Sequence, residues 1–289
     1  MALRVAFLGP AGTYTEEALL ASASGEVDPE PRTTVYETVM AVQHGETDRA
    51  VVPIENSLEG GVAATLDTLA GEADRVRIAG EVVHPIHHHL IAGRDLALDA
   101  VECVLSHPQA TAQCARFLRE RLPGAEWVAA TSTAEAVRRV GSSPEPWAAL
   151  GSALSAELYG ATVLAERVED HPGNLTRFVW LAPAAFTTSG DAGGPNGPMK
   201  TSVVFWGFND SSPGALMTVL REFSDRGINL TKIESRPRRV QLGHYMFFCD
   251  LEGHERDQPV AEALGALREL VETLRVLGSY PAAPATPNG

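Results

Sequence analysis

Cysteine is scarce in this chain of 289 residues: Cys103, Cys114 and Cys249 are odd in number and widely spaced, with no C-x-x-C. That pattern indicates neither a disulfide framework nor a zinc site, and reduced core thiols are expected. Positive charge is short as well. Lys+Arg number 23 against 37 Asp+Glu, a formal net charge of −14, so the averaged field repels phosphate backbones and anionic membranes, and neither nucleic acid nor a membrane is an expected partner. No apolar run approaches a bilayer span, and the opening MALRVAFLGPAG reads as a first buried strand rather than a leader. A cytoplasmic protein is expected. The Walker A lysine, G-x-G-x-x-G spacing, a G-x-S-x-G elbow, H-E-x-x-H and a nucleophilic cysteine with a fixed histidine partner are all missing, which weakens nucleotide, acyl-transfer and zinc-hydrolase readings.

What is present is ordinary globular composition, 44% hydrophobic and 21% charged, enough for one large domain or two smaller ones. Gly, Pro, Ser and Thr crowd into residues 183–199, which reads as a linker. Residues 1–182 precede it, residues 200–280 follow, and 281–289 read as a frayed tail. In the first segment RVAFLG, TYTEEALLASA, YETVMAVQHG, RAVVPI and VAATLDTLAG alternate strand and helix patterns, the rhythm of a parallel α/β sheet. The rhythm restarts at Val101: VECVLSH, a helix from Gln109 to Arg121, EWVAA, a helix from Thr133 to Val140, WAALGS, a helix to Tyr159, then TVLAERV. Two lobes with a cleft between them are expected, the chain crossing at RVRIAGEVVHPIHHHLIAG and VEDHPGNLTRFVWLA. Residues 200–280 read as βαββαβ.

Four stretches could carry chemistry. GPAGTYTE follows a strand and opens a helix, so N–H groups near Gly12 and Thr13 could hold an anion; Thr13 and Glu16 equally fit a capping box. PIENSLEGG ends a strand with Glu55, Asn56 and Ser57, polar groups at the end of the sheet where α/β sites are built, or simple caps of the next helix. SHPQATAQC repeats that arrangement in the second lobe with Ser106, Gln109 and Gln113. In DHPGNLTRF a Gly-Asn turn delivers Thr176, Arg177 and Phe178: a hydroxyl, a guanidinium able to grip a carboxylate in bidentate fashion, and a ring able to exclude water. The alternative is an exposed arginine at a strand start. HPIHHH suggests metal, but His87 and His89 would point opposite to His88 along a strand and no Cys or carboxylate accompanies them at ligand spacing, so no metal is assigned.

The ordered motifs GPAGTYTEEA, PIENSLEGG, SHPQATAQC, GNLTRF, GALMTVL, GINLTKIESRP and FFCDLEGH resemble, over nearly the whole chain, the bacterial prephenate dehydratases with a C-terminal ACT regulatory domain. The resemblance implies a two-lobed, periplasmic-binding-protein-like catalytic domain and decarboxylative dehydration of prephenate to phenylpyruvate without metal or organic cofactor. It makes Thr176 the central catalytic residue, acting as a hydrogen-bond donor or relay because an aliphatic hydroxyl is too weak an acid to give up its proton. Arg177 would clamp a carboxylate with help from N–H groups near Gly12 and Thr13. Glu55 would be a proton source or a positioning acceptor, and Asn56, Ser106 and Gln113 would orient ring substituents. In the ACT domain the resemblance implies L-phenylalanine contacts at Gly214, Ala215, Leu216, Asn229, Leu230, Glu234, Ser235, Arg236 and Pro237, within a homodimer or homotetramer. The chain departs from the usual pattern at WGFNDSS and RPRRVQLG. Arogenate dehydratase, and a non-catalytic small-molecule sensor, are the alternatives.

Overall fold

Val5, Ala6 and Phe7 are all buried, and so are Ala50, Val51 and Val52. Unbroken apolar runs of this kind mark strands covered on both faces, as central parallel strands are. In the computed structural model, which describes residues 2–186, 197–208 and 212–284, they form the middle of the first of three sheets. The first lobe holds β1 (Leu3–Leu8), α1 (Tyr14–Ser22), β2 (Val27–Arg32), α2 (Val35–Gln43), β3 (Arg49–Asn56), β4 (Gly60–Gly61), α3 (Ala63–Ala70) and β5 (Val76–Pro85). The second holds β6 (His89–Ala92), β7 (Cys103–Ser106), α4 (Pro108–Gln113), α5 (Ala115–Arg121), β8 (Glu126–Ala129), α6 (Thr133–Gly141), β9 (Trp147–Gly151), α7 (Ala153–Leu158) and β10 (Thr162–Ala165). The chain then returns: β11 (Leu175–Pro183) inserts antiparallel between β3 and β5, giving the order β2-β1-β3-β11-β5. The second sheet is ordered β10-β6-β9-β7-β8.

Local chemistry sets several boundaries. Thr13, Thr34 and Ser132 each accept from the backbone N–H three residues on, at Glu16, Glu37 and Glu135, the S/T-x-x-E arrangement that caps α1, α2 and α6. The expected helix from Gln109 to Arg121 is broken at buried Cys114 (φ −115°, ψ 14°), which separates α4 from α5. Strand β2, VDPEPR, has no counterpart in the sequence reading. It lies at a sheet edge, where prolines that cannot donate are tolerated. All three cysteines are free and buried, and burial pushes their thiols up, so none is poised as a nucleophile.

The last segment forms β12 (Met199–Trp206), α8 (Ala215–Ser224), β13 (Leu230–Pro237), β14 (Tyr245–Glu252), α9 (Gln258–Leu270) and β15 (Thr273–Pro281), with sheet order β13-β14-β12-β15. Its two faces do different work. Val203, Phe205 and Leu251 pack under α8 and α9 with Val219, Phe223, Leu264 and Leu267. Val204, Phe248, Leu277 and Tyr280 instead join Leu66, Val76, Ile78 and Val179 of the first lobe in one continuous core. Gly278 (φ +154°) makes that docking possible, because a Cβ there would collide with the backbone of Ile78. The linker expected over residues 183–199 falls largely on 187–196, outside the described residues, as do 285–289 of the expected tail. No helix among the described residues is long and apolar enough to cross a membrane.

Candidate active site

Because side chains alternate along a strand, the Thr-Arg-Phe run of β11 divides between two faces. Thr176 and Phe178 point into a cleft of about 420 Å³ between the lobes, shared with Asn56 of β3, Gln113 of α4, His88 and Asn174 of the two crossings. The first-turn residues Thr13, Tyr14 and Thr15 of α1, and Thr131, Ser132 and Thr133 at the start of α6, line it too. Thr176 and Asn56 are register partners across β11 and β3.

The polar groups of the cleft form one chain. Asn56 Oδ1 accepts from the backbone N–H groups of Leu58 (2.9 Å) and Glu59 (3.0 Å), which fixes its amide. Its Nδ2 therefore faces Thr176 Oγ1 and Asn174 Oδ1, each at 2.8 Å. Asn174 Nδ2 donates to Gln113 Oε1 (3.1 Å), which also lies 2.9 Å from His88 Nε2. The Thr176 hydroxyl thus serves Asn56 as acceptor and keeps its own proton free. Gln113 Nε2 is buried with no hydrogen-bond partner among the described residues, a donor that costs about 1–3 kcal/mol unless something accepts from it. His88 is 3% exposed and burial lowers its pKa, so the ring is neutral near pH 7. Tyr14 stays protonated, since burial above all, with Glu17, Cys114 and Glu169 adding, holds its pKa well above the ordinary value.

Several expected site residues lie off this wall. Arg177 is on the opposite face of β11 and cannot clamp a carboxylate in the cleft. Its guanidinium reaches Glu55 Oε2 (3.0 Å), Glu81 Oε2 (3.0 Å) and Asp250 Oδ2 (2.7 Å). Burial works against its charge, but Asp250 foremost, with Tyr280, Glu81 and Glu55, raises the pKa above its ordinary value. Glu55 alternates with Asn56 in the same way and faces Arg177 and Lys232 (3.5 Å), with no path to a leaving hydroxyl. Lys232 and Lys200, the chain's only two lysines, both belong to this interdomain cluster, Lys200 sitting 2.7 Å from Glu81. Ser57 is used on the strand ends, its hydroxyl accepting from Leu175 N–H (2.9 Å). Ser106 is fully buried and donates to the Leu150 carbonyl (3.3 Å). The Gly12 N–H is taken by Glu16 (2.5 Å) and its carbonyl by Ser152 (2.8 Å), so it is part of the cap and of a contact between lobes. Thr13 caps α1 and also lines the cleft, which joins its two readings. Missed from sequence were Tyr14, His88, Asn174 and the 131–133 turn. The sequence offers His88 only as a metal candidate, and Asn174 lies within GNLTRF with no role assigned to it.

The expected effector residues do not meet within one chain. Gly214 (φ +83°) opens α8 ahead of Ala215 and Leu216, and Asn229 Nδ2 donates to Glu252 (3.0 Å). Leu230 and Pro237 are the ends of β13, roughly 23 Å apart at 3.3 Å per residue. Glu234 and Arg236 turn towards the first lobe, Arg236 making a fork of 3.1 and 3.2 Å to Asp67 and Glu234 lying against Gly61. Ser235, Ile233 and Pro237 are exposed on the other face of an edge strand.

Residues 5–185 match the family model for prephenate dehydratase, and residues 209–269 that for the ACT domain. A prephenate dehydratase of Mycobacterium sp. (strain JLS) is 41% identical, covering 98% of this chain and 90% of its own. A bifunctional chorismate mutase/prephenate dehydratase of Aquifex aeolicus is 40% identical, covering 97% of this chain and 74% of its own. Among solved structures, prephenate dehydratase of Arthrobacter aurescens in complex with L-Phe superposes with a TM-score of 0.87 at 39% identity, over 96% of this chain and 90% of that one. A quorum-quenching acylase, GqqA, superposes with a TM-score of 0.85 at 32% identity, over 97% and 98%.

Proposed function

The chain belongs to the prephenate dehydratase family, with an ACT domain after the catalytic region, and from that premise we propose that it converts prephenate to phenylpyruvate under feedback by L-phenylalanine. The reaction breaks the ring-carboxylate bond to release carbon dioxide. The freed electron pair completes the aromatic ring and expels the ring hydroxyl, which leaves as water with one added proton. An enzyme for this step must hold two carboxylates and stabilise charge growing on the leaving oxygen.

The observation that carries the reading is the Thr176 hydroxyl, held as acceptor by Asn56 with its proton free to face the leaving oxygen. Gln113 lines the same cleft, and its Nε2, buried and without a partner among the described residues, supplies a second donor. With Arg177 outside the cleft, the substrate carboxylates are held by neutral donors: the first-turn N–H groups of α1 at Tyr14 and Thr15, and those of α6 behind Ser132, both at positive ends of helix dipoles. Neutral anchoring suits a substrate that must lose one carboxylate, because a cation at that carboxylate would stabilise the ground state that is to be destroyed. An acylase reading needs a base on the Thr176 hydroxyl, and among the described residues no imidazole or carboxylate bonds to it.

The division into 1–182, 183–199, 200–280 and 281–289, a cytoplasmic setting and a homodimer are parts of the same proposal. Antiparallel pairing of the free β13 edge with a second copy would bring the Leu230 end of one chain beside the Pro237 end of the other, completing an effector set that one chain separates. The test is phenylpyruvate release from prephenate and from arogenate, with and without L-phenylalanine, beside Thr176→Ala. Prephenate turnover suppressed by phenylalanine, and reduced by about 10²–10³-fold in Thr176→Ala, is expected. Turnover of arogenate alone changes the substrate, and no turnover of either overturns the reading.

A further inference from the structure

The buried His88 lies between β5 and β6, where the chain crosses from one lobe to the other, and both its ring nitrogens are engaged. Nε2 lies 2.9 Å from Gln113 Oε1, and Nδ1 lies 2.7 Å from the Tyr14 hydroxyl, whose ring meets the imidazole edge-on at 78° and 5.5 Å between centroids. The Tyr14 hydroxyl also donates to the His87 carbonyl (2.9 Å), so its single proton is shared between that oxygen and the shorter contact to Nδ1.

The orientation of each amide follows from a fixed end. Two backbone N–H groups set Asn56, Asn56 sets Asn174, and Asn174 Nδ2 then donates to Gln113 Oε1. An oxygen that already receives Asn174 can receive His88 Nε2 only as N–H, so the neutral ring carries its proton on Nε2 and leaves Nδ1 as acceptor for Tyr14. Reversing Gln113 would set its NH₂ against the Asn174 NH₂. Gln113 lines the cleft, and its own Nε2 is left buried without a partner among the described residues. His88 has no donor to spare for a ligand and acts through Gln113.

We propose that His88, held in its Nε2–H tautomer by Gln113 Oε1 and the Tyr14 hydroxyl, is a positioning residue for the dehydration: together with Asn174 it locks the Gln113 amide with Nε2 towards the substrate. The proposal rests on the function assigned to this cleft above. Without His88, and with Asn174 as its only remaining donor among the described residues, Gln113 would hold its NH₂ towards the substrate for a smaller share of the time, so the lock acts on turnover more than on binding.

The experiment is a kinetic cycle on the full chain with prephenate: wild type, His88→Leu, Gln113→Leu, the double variant and Tyr14→Phe, with ¹⁵N-histidine spectra of wild type and Tyr14→Phe. Expected are a kcat lower by about 10–100-fold in His88→Leu, the scale of a lost buried hydrogen bond, and a KM changed less than kcat. His88→Leu should have no further effect on kcat when Gln113 is already leucine. Tyr14→Phe, the milder variant should His88→Leu fold poorly, should lose several-fold in kcat and mix the His88 tautomers that are a single Nε2–H form in wild type. A wild type active on prephenate overturns the proposal alone if it shows additive His88 and Gln113 effects, or an Nδ1–H ring. A wild type silent towards prephenate overturns the underlying function and the proposal with it.

Discussion

The two faces of β11 are separated by one residue of sequence and by opposite electrostatic strategies. On the cleft face Thr176 meets amides and hydroxyls, all neutral, with Gln113 Nε2 left unpartnered. On the other face Arg177 meets Glu55, Glu81 and Asp250, with Lys200 and Lys232 completing the cluster between the first lobe and the ACT sheet. The first face leaves a neutral donor unpartnered, which the proposed substrate would satisfy. The second pairs its charges with one another as ions and joins domains. A three-residue motif thus serves chemistry and architecture at once, and a change in one member should not be read through its neighbour.

The comparison breaks most visibly at Arg177. Arg177→Met leaves Asp250 buried without its cation, while Glu81 keeps Lys200, and should cost about 3–5 kcal/mol in stability, measured by urea unfolding, while the folded fraction retains turnover. Thr176→Ala should do the reverse: kcat falls by the 10²–10³-fold given above, and unfolding stays within about 1 kcal/mol of wild type. Equal losses of activity in both variants would show that the two faces are not separable. Glu55→Gln sharpens the same point. It should change kcat by less than about threefold, because the carboxylate faces away from the cleft; a loss on the scale of Thr176→Ala would return the proton-donor role to it. The smallest effect belongs to the partly exposed fork between Asp67 and Arg236. Asp67→Asn should weaken stability by about 0.2–1 kcal/mol and lessen the response to phenylalanine, both differences shrinking at high salt.

Much of this arrangement was legible in the chain. The alternation of strand and helix patterns and the capping box at Thr13 and Glu16 fix local structure through short-range sterics and hydrogen bonds, and the cap recurs where expected. Thr176, Asn56, Gln113 and Phe178, read from three short motifs, all line the cleft. Edge strand β2 was missed because its prolines argue against a strand unless its edge position is known. Glu55, Arg177 and Ser106 were misplaced because motif density does not say which face of a strand looks into a cleft.

By itself the sequence determined most of the elements, though neither strand β2 nor the break at Cys114, together with the existence of two lobes and a further βαββαβ unit, and the family, since these rest on local periodicity and on the order of motifs. Tertiary structure decided which alternate residues face the cleft and which face the ACT sheet, because that depends on where β11 inserts between β3 and β5 and on what packs behind it. It also decided the role of His88. An imidazole becomes an orienting group only when residues 14, 88 and 113, distant in sequence, meet in a buried space too dry for either nitrogen to go unpaired.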